Sequence, residues 1–178
     1  PRLVAGQCKQ RCWTSMFSVD ELNQVMRLDG VKHKVAAWSP MHLQLCEIND
    51  FDVWNMKNFP NYQEYLTNYA TQGLAYTGIG DGIIYAMFGV YEFWPGCAEA
   101  WLIPSKHIDR KTIAFHRASL AFFEHVVAVK GIKRLQITVH TANVHADRWA
   151  RRCYFEPEGL LRKYGPDGSD YQMYARIF

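Results

Sequence analysis

The stretch from Leu74 to Ile103 constrains the fold most, because it holds three strand candidates joined by turns too short to cross a sheet. Leu74 to Ile79 runs into Gly80-Asp81-Gly82, a tight-turn signal. Ile83 to Trp94 is long, rich in β-branched and aromatic residues, and ends at Pro95-Gly96. Ala98 to Ile103 follows and stops at Pro104. Strands connected this tightly pair antiparallel, so the middle of the chain is expected to be a meander. The period then changes. Lys111 to Val129 reads as an amphipathic helix with Ile113, Leu120, Phe123 and Val127 on one face, closed by Gly131. Leu135, Ile137 and Val139 alternate with Gln136, Thr138 and His140, the pattern of a half-buried strand. A helix joins the strand ending at Ile103 to the strand starting at Leu135, so these two are expected to run parallel.

The flanking elements complete an α+β pattern with a mixed sheet. His33 to Trp38 reads as a strand. Ser39-Pro40 starts a helix carrying Met41, Leu45 and Ile48 at helical spacing. Asn61 opens another after Pro60, with Tyr62, Tyr65, Leu66 and Tyr69 along it and Gly73 at its end. Asn143 to Cys153 is a shorter helix. Phe155 to Tyr164 and Tyr171 to Phe178 form a last hairpin around Pro166-Asp167-Gly168-Ser169. Residues 1–30 read as an appendage holding one helix, with Ser18 as N-cap and Glu21 three residues on. Residues 31–178 read as the main domain.

Composition narrows the function classes. Hydrophobic residues make up 49% and charged residues 21% of the 178, the balance of a globular protein. No run approaches the ~20 consecutive apolar residues of a membrane span. The first thirty residues lack the pattern of a secretory leader, so a cytoplasmic location is expected. Lys and Arg number 20 against 17 Asp and Glu, a net charge of +3. That excess is too mild for a dedicated nucleic-acid binder, and no nucleic-acid partner is expected. Arg148, Arg151 and Arg152 read as a solvated helix face. The five cysteines, Cys8, Cys12, Cys46, Cys97 and Cys153, lack the paired spacing of a zinc site and read as free thiols. His140 and His145 have no third ligand at metal spacing, so no metal is expected. Gly78-Ile79-Gly80-Asp81-Gly82 has the composition of a phosphate loop, but a strand follows it, and it reads as a hairpin turn.

The element order resembles the GNAT acetyltransferase superfamily, over roughly Lys34 to Phe178. The likeness is carried by Ala98-Glu99-Ala100-Trp101-Leu102-Ile103-Pro104, a strand ending at Pro ahead of a helix. It is carried also by Val139-His140-Thr141-Ala142-Asn143-Val144-His145-Ala146, where an Asn opens the next helix, and by Glu158-Gly159-Leu160-Leu161-Arg162 with Gly168-Ser169-Asp170-Tyr171 in the last hairpin. Within the superfamily the chain is most similar to divergent GNAT-like proteins of short-tailed phages, some of them internal virion proteins.

That resemblance implies a mostly antiparallel sheet with helices on both faces and a V-shaped splay between two parallel central strands. It implies acetyl-CoA as cofactor and an amine, on a small molecule or a protein, as acceptor. The backbone of Trp101, Leu102 and Ile103 would hold the pantetheine arm and the acyl oxygen, and Arg110 and Lys111 the pyrophosphate. Asn143 would lie near the cofactor. Glu99 or His140 would serve as base, with His145 also near the gap. The chain departs from the family in two places. Ile113 and Phe115 stand where small residues let phosphate approach a helix N-terminus. Ala150 stands where many members carry a general-acid Tyr; Tyr154, one helical turn on, is the candidate replacement. These departures leave open a non-catalytic protein on the same scaffold, a phage virion or host-interaction component binding a protein through Phe93 and Trp94, in the virion or the host cytoplasm.

Overall fold

The computed structural model describes residues 17–178. The chain runs α1 (Val19–Val25), β1 (His33–Ala37), α2 (Pro40–Leu45), α3 (Asp50–Lys57), α4 (Tyr62–Gln72), β2 (Leu74–Gly80), β3 (Ile83–Trp94) and β4 (Cys97–Pro104). A 3-10 turn (Ile108–Lys111) leads into α5 (Thr112–Lys130), β5 (Arg134–His140), α6 (Val144–Arg152), β6 (Glu156–Leu161) and β7 (Tyr171–Ile177). The strands form one seven-stranded sheet in the order β1-β2-β3-β4-β5-β7-β6. The pair β4 and β5 is parallel and every other pair is antiparallel. The meander is built as expected, and its first turn places Asp81 and Gly82 at φ 50 and 79, the left-handed values a two-residue hairpin turn requires.

Side chains alternate across the sheet and build a core on each face. On one, α5 supplies Phe122, Phe123, Val126 and Val127 against Ala98 and Ala100 of β4 and Leu135, Ile137 and Val139 of β5. On the other, Met87 and Ile103 meet Leu66 of α4 and Cys46 beyond α2. The segment read as an appendage contributes Phe17 and Leu22 to the first core. The Tyr76 hydroxyl donates to the Phe17 carbonyl (3.2 Å), and the Val35 amide donates to Asn23 Oδ1 (2.8 Å). Cys8 and Cys12 lie outside the described residues. Cys46, Cys97 and Cys153 are free and buried, and burial pushes the Cys46 thiol up to about 11 and Cys153 up to about 12. Among the described residues no helix is long and apolar enough to cross a membrane.

Three sequence expectations are corrected. The periodicity of Met41, Leu45 and Ile48 ends at Leu45, and Ile48 makes a β-bridge to Ser105 instead. The chain then folds α3, which the sequence reading lacked, with Asn49 as N-cap accepting from the Asp52 amide at 2.9 Å. In α5 the buried face starts only at Ala118, and Ile113 is 70% exposed, because the first turn reaches past the sheet.

Gly89 of β3 sits opposite Trp101 of β4, whose indole lies over it. A Cβ added at Gly89 would run into the backbone carbonyl oxygen of Leu74 and meet the Trp101 ring at 2.6 Å. Gly89→Ala is therefore expected to destabilise the fold by about 1–3 kcal/mol in urea unfolding, and to shift Trp101 fluorescence.

Candidate active site

The sheet consists of two ladders joined at one short seam. β4 and β5 pair only at Cys97↔Arg134, Ala98↔Leu135 and Glu99↔Gln136. Past that vertex β4 remains paired to β3 as far as Ala86↔Pro104, and β5 to β7 as far as His140↔Tyr171. The inner edges of the two strands therefore part, and their backbone groups from Ala100 and from Ile137 onward have no ladder partner across the gap. Backbone donors and acceptors in such a place require another partner.

A cleft of about 1020 Å³ opens into this wedge and reaches both faces of the sheet. Ala114, Phe115 and Trp149 line it from the α5 and α6 side; Asn49, Phe51 and Asp52 line it from α3. Three nitrogens buried without a hydrogen-bond partner, Trp101 Nε1, Trp149 Nε1 and His140 Nε2, belong to residues that line the cleft. An orphaned buried donor costs about 1–3 kcal/mol, so their gathering at one cleft fits a site shaped for a ligand.

Glu99 occupies the vertex. Its Oε1 accepts from the Tyr69 hydroxyl and its Oε2 from Gln136 Nε2, both at 3.1 Å. Trp101 and Leu102 line the cleft, while the Ile103 side chain packs into the opposite core. His140 lines the cleft beyond the end of the wedge, its ring set edge-on to Phe51 (5.1 Å) and Tyr171 (5.1 Å). The Ala142 amide donates to His140 Nδ1 at 3.0 Å, which leaves the proton of the neutral ring on Nε2 and makes that atom a donor. Asn143 lines the cleft and caps α6 by accepting from the Ala146 amide at 3.0 Å.

The basic residues divide. Lys111 lines the cleft, with its Nζ 3.8 Å from Asp81 Oδ2 and 3.5 Å from His33 Nε2. Arg110 is exposed in the 3-10 turn and lies outside the cleft lining. Ile113 also lies outside it, whereas Phe115 lines it and stacks on Trp149 (6.0 Å, 30°). Tyr154 is 64% exposed, away from the cleft, with the Arg176 guanidinium over its ring at 5.3 Å. Its φ of 65 is a left-handed value that glycine adopts without cost.

Two features escaped the sequence reading. Arg148 and Arg152, read as part of a solvated face, line the cleft; Arg151 pairs with Asp147 instead (3.2 Å). Asp52 of α3 lines the cleft on the other face, where burial raises its carboxyl to about 6 against the opposing hydrogen bond from Asn49 Nδ2 (2.5 Å). The Asn49-x-x-Asp52 spacing of a helix start was the available signal.

No protein-family model matches the chain, and no curated protein sequence does. Solved structures match it closely in fold. RimL, a ribosomal L7/L12 alpha-N-protein acetyltransferase in complex with coenzyme A, superimposes with a TM-score of 0.64 at 19% identity, covering 83% of this chain and 95% of that one. An acetyltransferase of the GNAT family from Bacillus anthracis gives 0.64 at 16%, covering 82% and 95%. The microcin C7 self immunity acetyltransferase MccE, in complex with acetyl-CoA and AMP, gives 0.62 at 14%, covering 83% and 93%. The chain thus has the GNAT fold, a mixed sheet whose single parallel pair splays apart.

Asp52 yields a pH test. Its folded pKa of about 6 lies above the ordinary 3.8, so the unfolded chain releases this proton first. Asp52 therefore withdraws stability as pH rises from about 4 to about 6, by an amount of order 3 kcal/mol. Asp52→Asn is expected to remove that part of the decline, read from urea unfolding at pH 4, 5, 6 and 7.

Proposed function

We propose that the protein is an N-acetyltransferase moving an acetyl group from acetyl-CoA to a primary amine. The reading rests on the parted inner edges of β4 and β5, which let one continuous cleft cross the sheet, so that two ligands can enter from opposite faces and meet. Unpaired strand backbone and orphaned N–H groups fit a polar, strand-like arm such as pantetheine. When bound, acetyl-CoA supplies a thioester whose acyl group is open to attack.

The backbone of Trp101, Leu102 and Ile103 holds the arm and stabilises negative charge on the acyl oxygen. Lys111 and the start of α5 receive the pyrophosphate, where the helix dipole favours anions. Arg148 and Arg152 extend the positive rim, and Asn143 fixes the start of α6 beside it. Asp52 accepts the ammonium proton of the acceptor, which frees the nitrogen lone pair; its raised pKa suits a base working near neutrality. His140 Nε2 donates into the cleft rather than acting as base. Tyr171, the phenol beside His140, has its pKa raised chiefly by burial and stays protonated, able to supply the proton that the departing thiolate takes up. Glu99 orients the acceptor from the vertex. The cytoplasm, in a phage host included, supplies acetyl-CoA for such a reaction.

A second reading keeps the scaffold without the reaction, as a GNAT-fold phage protein of the virion or of the host encounter. The observation in its favour is the exposed end of β3, where Phe93 and Trp94 are 40% and 63% exposed and offer a surface to a protein partner.

Titration with acetyl-CoA separates the two. Saturation a hundredfold above Kd adds about 2.7 kcal/mol, a rise in Tm of roughly 5–10 °C for a chain of this length. Lys111→Ala is expected to shrink that rise. No rise at millimolar acetyl-CoA would overturn the acetyltransferase reading. Asp52→Asn is expected to keep the rise and to lower acetyl transfer about 10²–10⁴-fold; full activity in that variant would remove Asp52 from its role.

A further inference from the structure

The cations that line the cleft fall into two groups, and this bears on which coenzyme it takes. Lys111 leans toward β1 and the β2–β3 turn, where Asp81 Oδ2 lies 3.8 Å and His33 Nε2 3.5 Å from its Nζ. Its charge is therefore partly met within the protein. Arg148 and Arg152 belong to α6, which meets α5 through the stack of Phe115 on Trp149. Both arginines line the cleft and both are exposed. Neither makes a hydrogen bond or an ion pair with any described residue.

The winding of α6 sets the two side by side. Four residues apart, they stand within about 40° of one another around the helix and about 6 Å apart along its axis. His145, one turn before Arg148, lines the cleft on the same arc. The one acidic residue of α6, Asp147, stands about a third of a turn further round. It is engaged there, accepting from the Tyr174 hydroxyl and pairing with Arg151 at 3.2 Å. Those two partners chiefly hold its carboxyl below the ordinary range, and Arg148 contributes least. Like charges one turn apart destabilise a helix, so a bridging anion would relieve the pair.

Two guanidinium forks at this spacing suit a phosphate monoester. Such a group carries close to two negative charges and three strong acceptor oxygens, so both forks can bond it at once. Guanidinium is also the cation whose planar fork matches phosphate geometry best.

We infer that Arg148 and Arg152 hold a phosphate monoester separate from the pyrophosphate at Lys111. In coenzyme A that group is the 3′-phosphate of the ribose, so the protein distinguishes coenzyme A from dephospho-coenzyme A. The naming of the coenzyme rests on the acetyl-transfer reading.

Calorimetric titration with coenzyme A and with dephospho-coenzyme A, neither of which carries an acyl group to transfer, tests this. Coenzyme A is expected to bind about tenfold more tightly, the worth of charge-assisted contacts at an exposed place. The double variant Arg148→Gln, Arg152→Gln is expected to bind coenzyme A only as well as dephospho-coenzyme A. It should keep the unaltered protein's affinity for the latter, which also reports that it is folded. Lys111→Ala is expected to weaken both ligands alike and to leave their ratio unchanged. Equal binding of the two ligands by the unaltered protein, a preference that survives the double substitution, or an equal loss for both ligands in that variant would overturn the inference and leave the acetyltransferase reading standing. Binding of neither ligand would overturn both.

Discussion

Everything in this molecule depends on where the pairing of β4 and β5 stops. Three residue pairs join the strands, and past Glu99 and Gln136 each is held only by its outer neighbour. The sheet survives the break because α5 spans beneath the vertex. Phe122, Phe123, Val126 and Val127 bury against residues of both strands, so apolar packing replaces the missing hydrogen bonds as the link between the ladders. A GNAT fold is in this sense a sheet with a designed defect, kept open by a helix and by two complete outer ladders.

The opening has chemical polarity. Lys111, Arg148 and Arg152 rim the cleft toward α5 and α6, and Asp52 and Glu99 line it on the side of α3 and α4. These cations offer partners to an anionic ligand near α5 and α6, and these carboxylates to a cationic one near α3 and α4. Aromatic rings cover both approaches, Phe115 on Trp149 at the first and Phe51, His140 and Tyr171 at the second. They exclude water from a place where hydrogen bonds to a developing charge gain strength.

Much of the fold was legible in the sequence because its elements are amphipathic. Leu135, Ile137 and Val139 alternate in burial with their neighbours residue by residue, which is why β5 could be placed before the structure. Helix α3 left no such mark: none of its eight residues is fully buried, so no apolar stripe separates from the rest. In α5 the first turn carries Ile113 into solvent, outside the cleft, and helical periodicity alone does not mark where along a helix burial begins. At the site, Glu99, His140 and Asn143 were readable because they stand at the vertex and at the ends of elements whose order was clear. Asp52 was not. It is brought to the cleft by Asn49, whose amide and side chain both donate to the Pro104 carbonyl, a contact that closes a long loop and has no local signature. Tyr154 was proposed because it stands one helical turn beyond Ala150; the helix ends at Arg152, and the turn that follows sends the ring away from the cleft.

Hydrogen exchange at the inner edges of the wedge measures the central claim most directly. Amides of Ala100 to Ile103 and of Ile137 to His140 that face across the gap lack a ladder partner, so they should exchange quickly in the free protein and slowly once acetyl-CoA is added, while those bonded to β3 and β7 stay protected throughout. Protection of all these amides in the free protein would mean that the strands are zipped. Rapid exchange that acetyl-CoA leaves unchanged would mean that the wedge does not hold the cofactor.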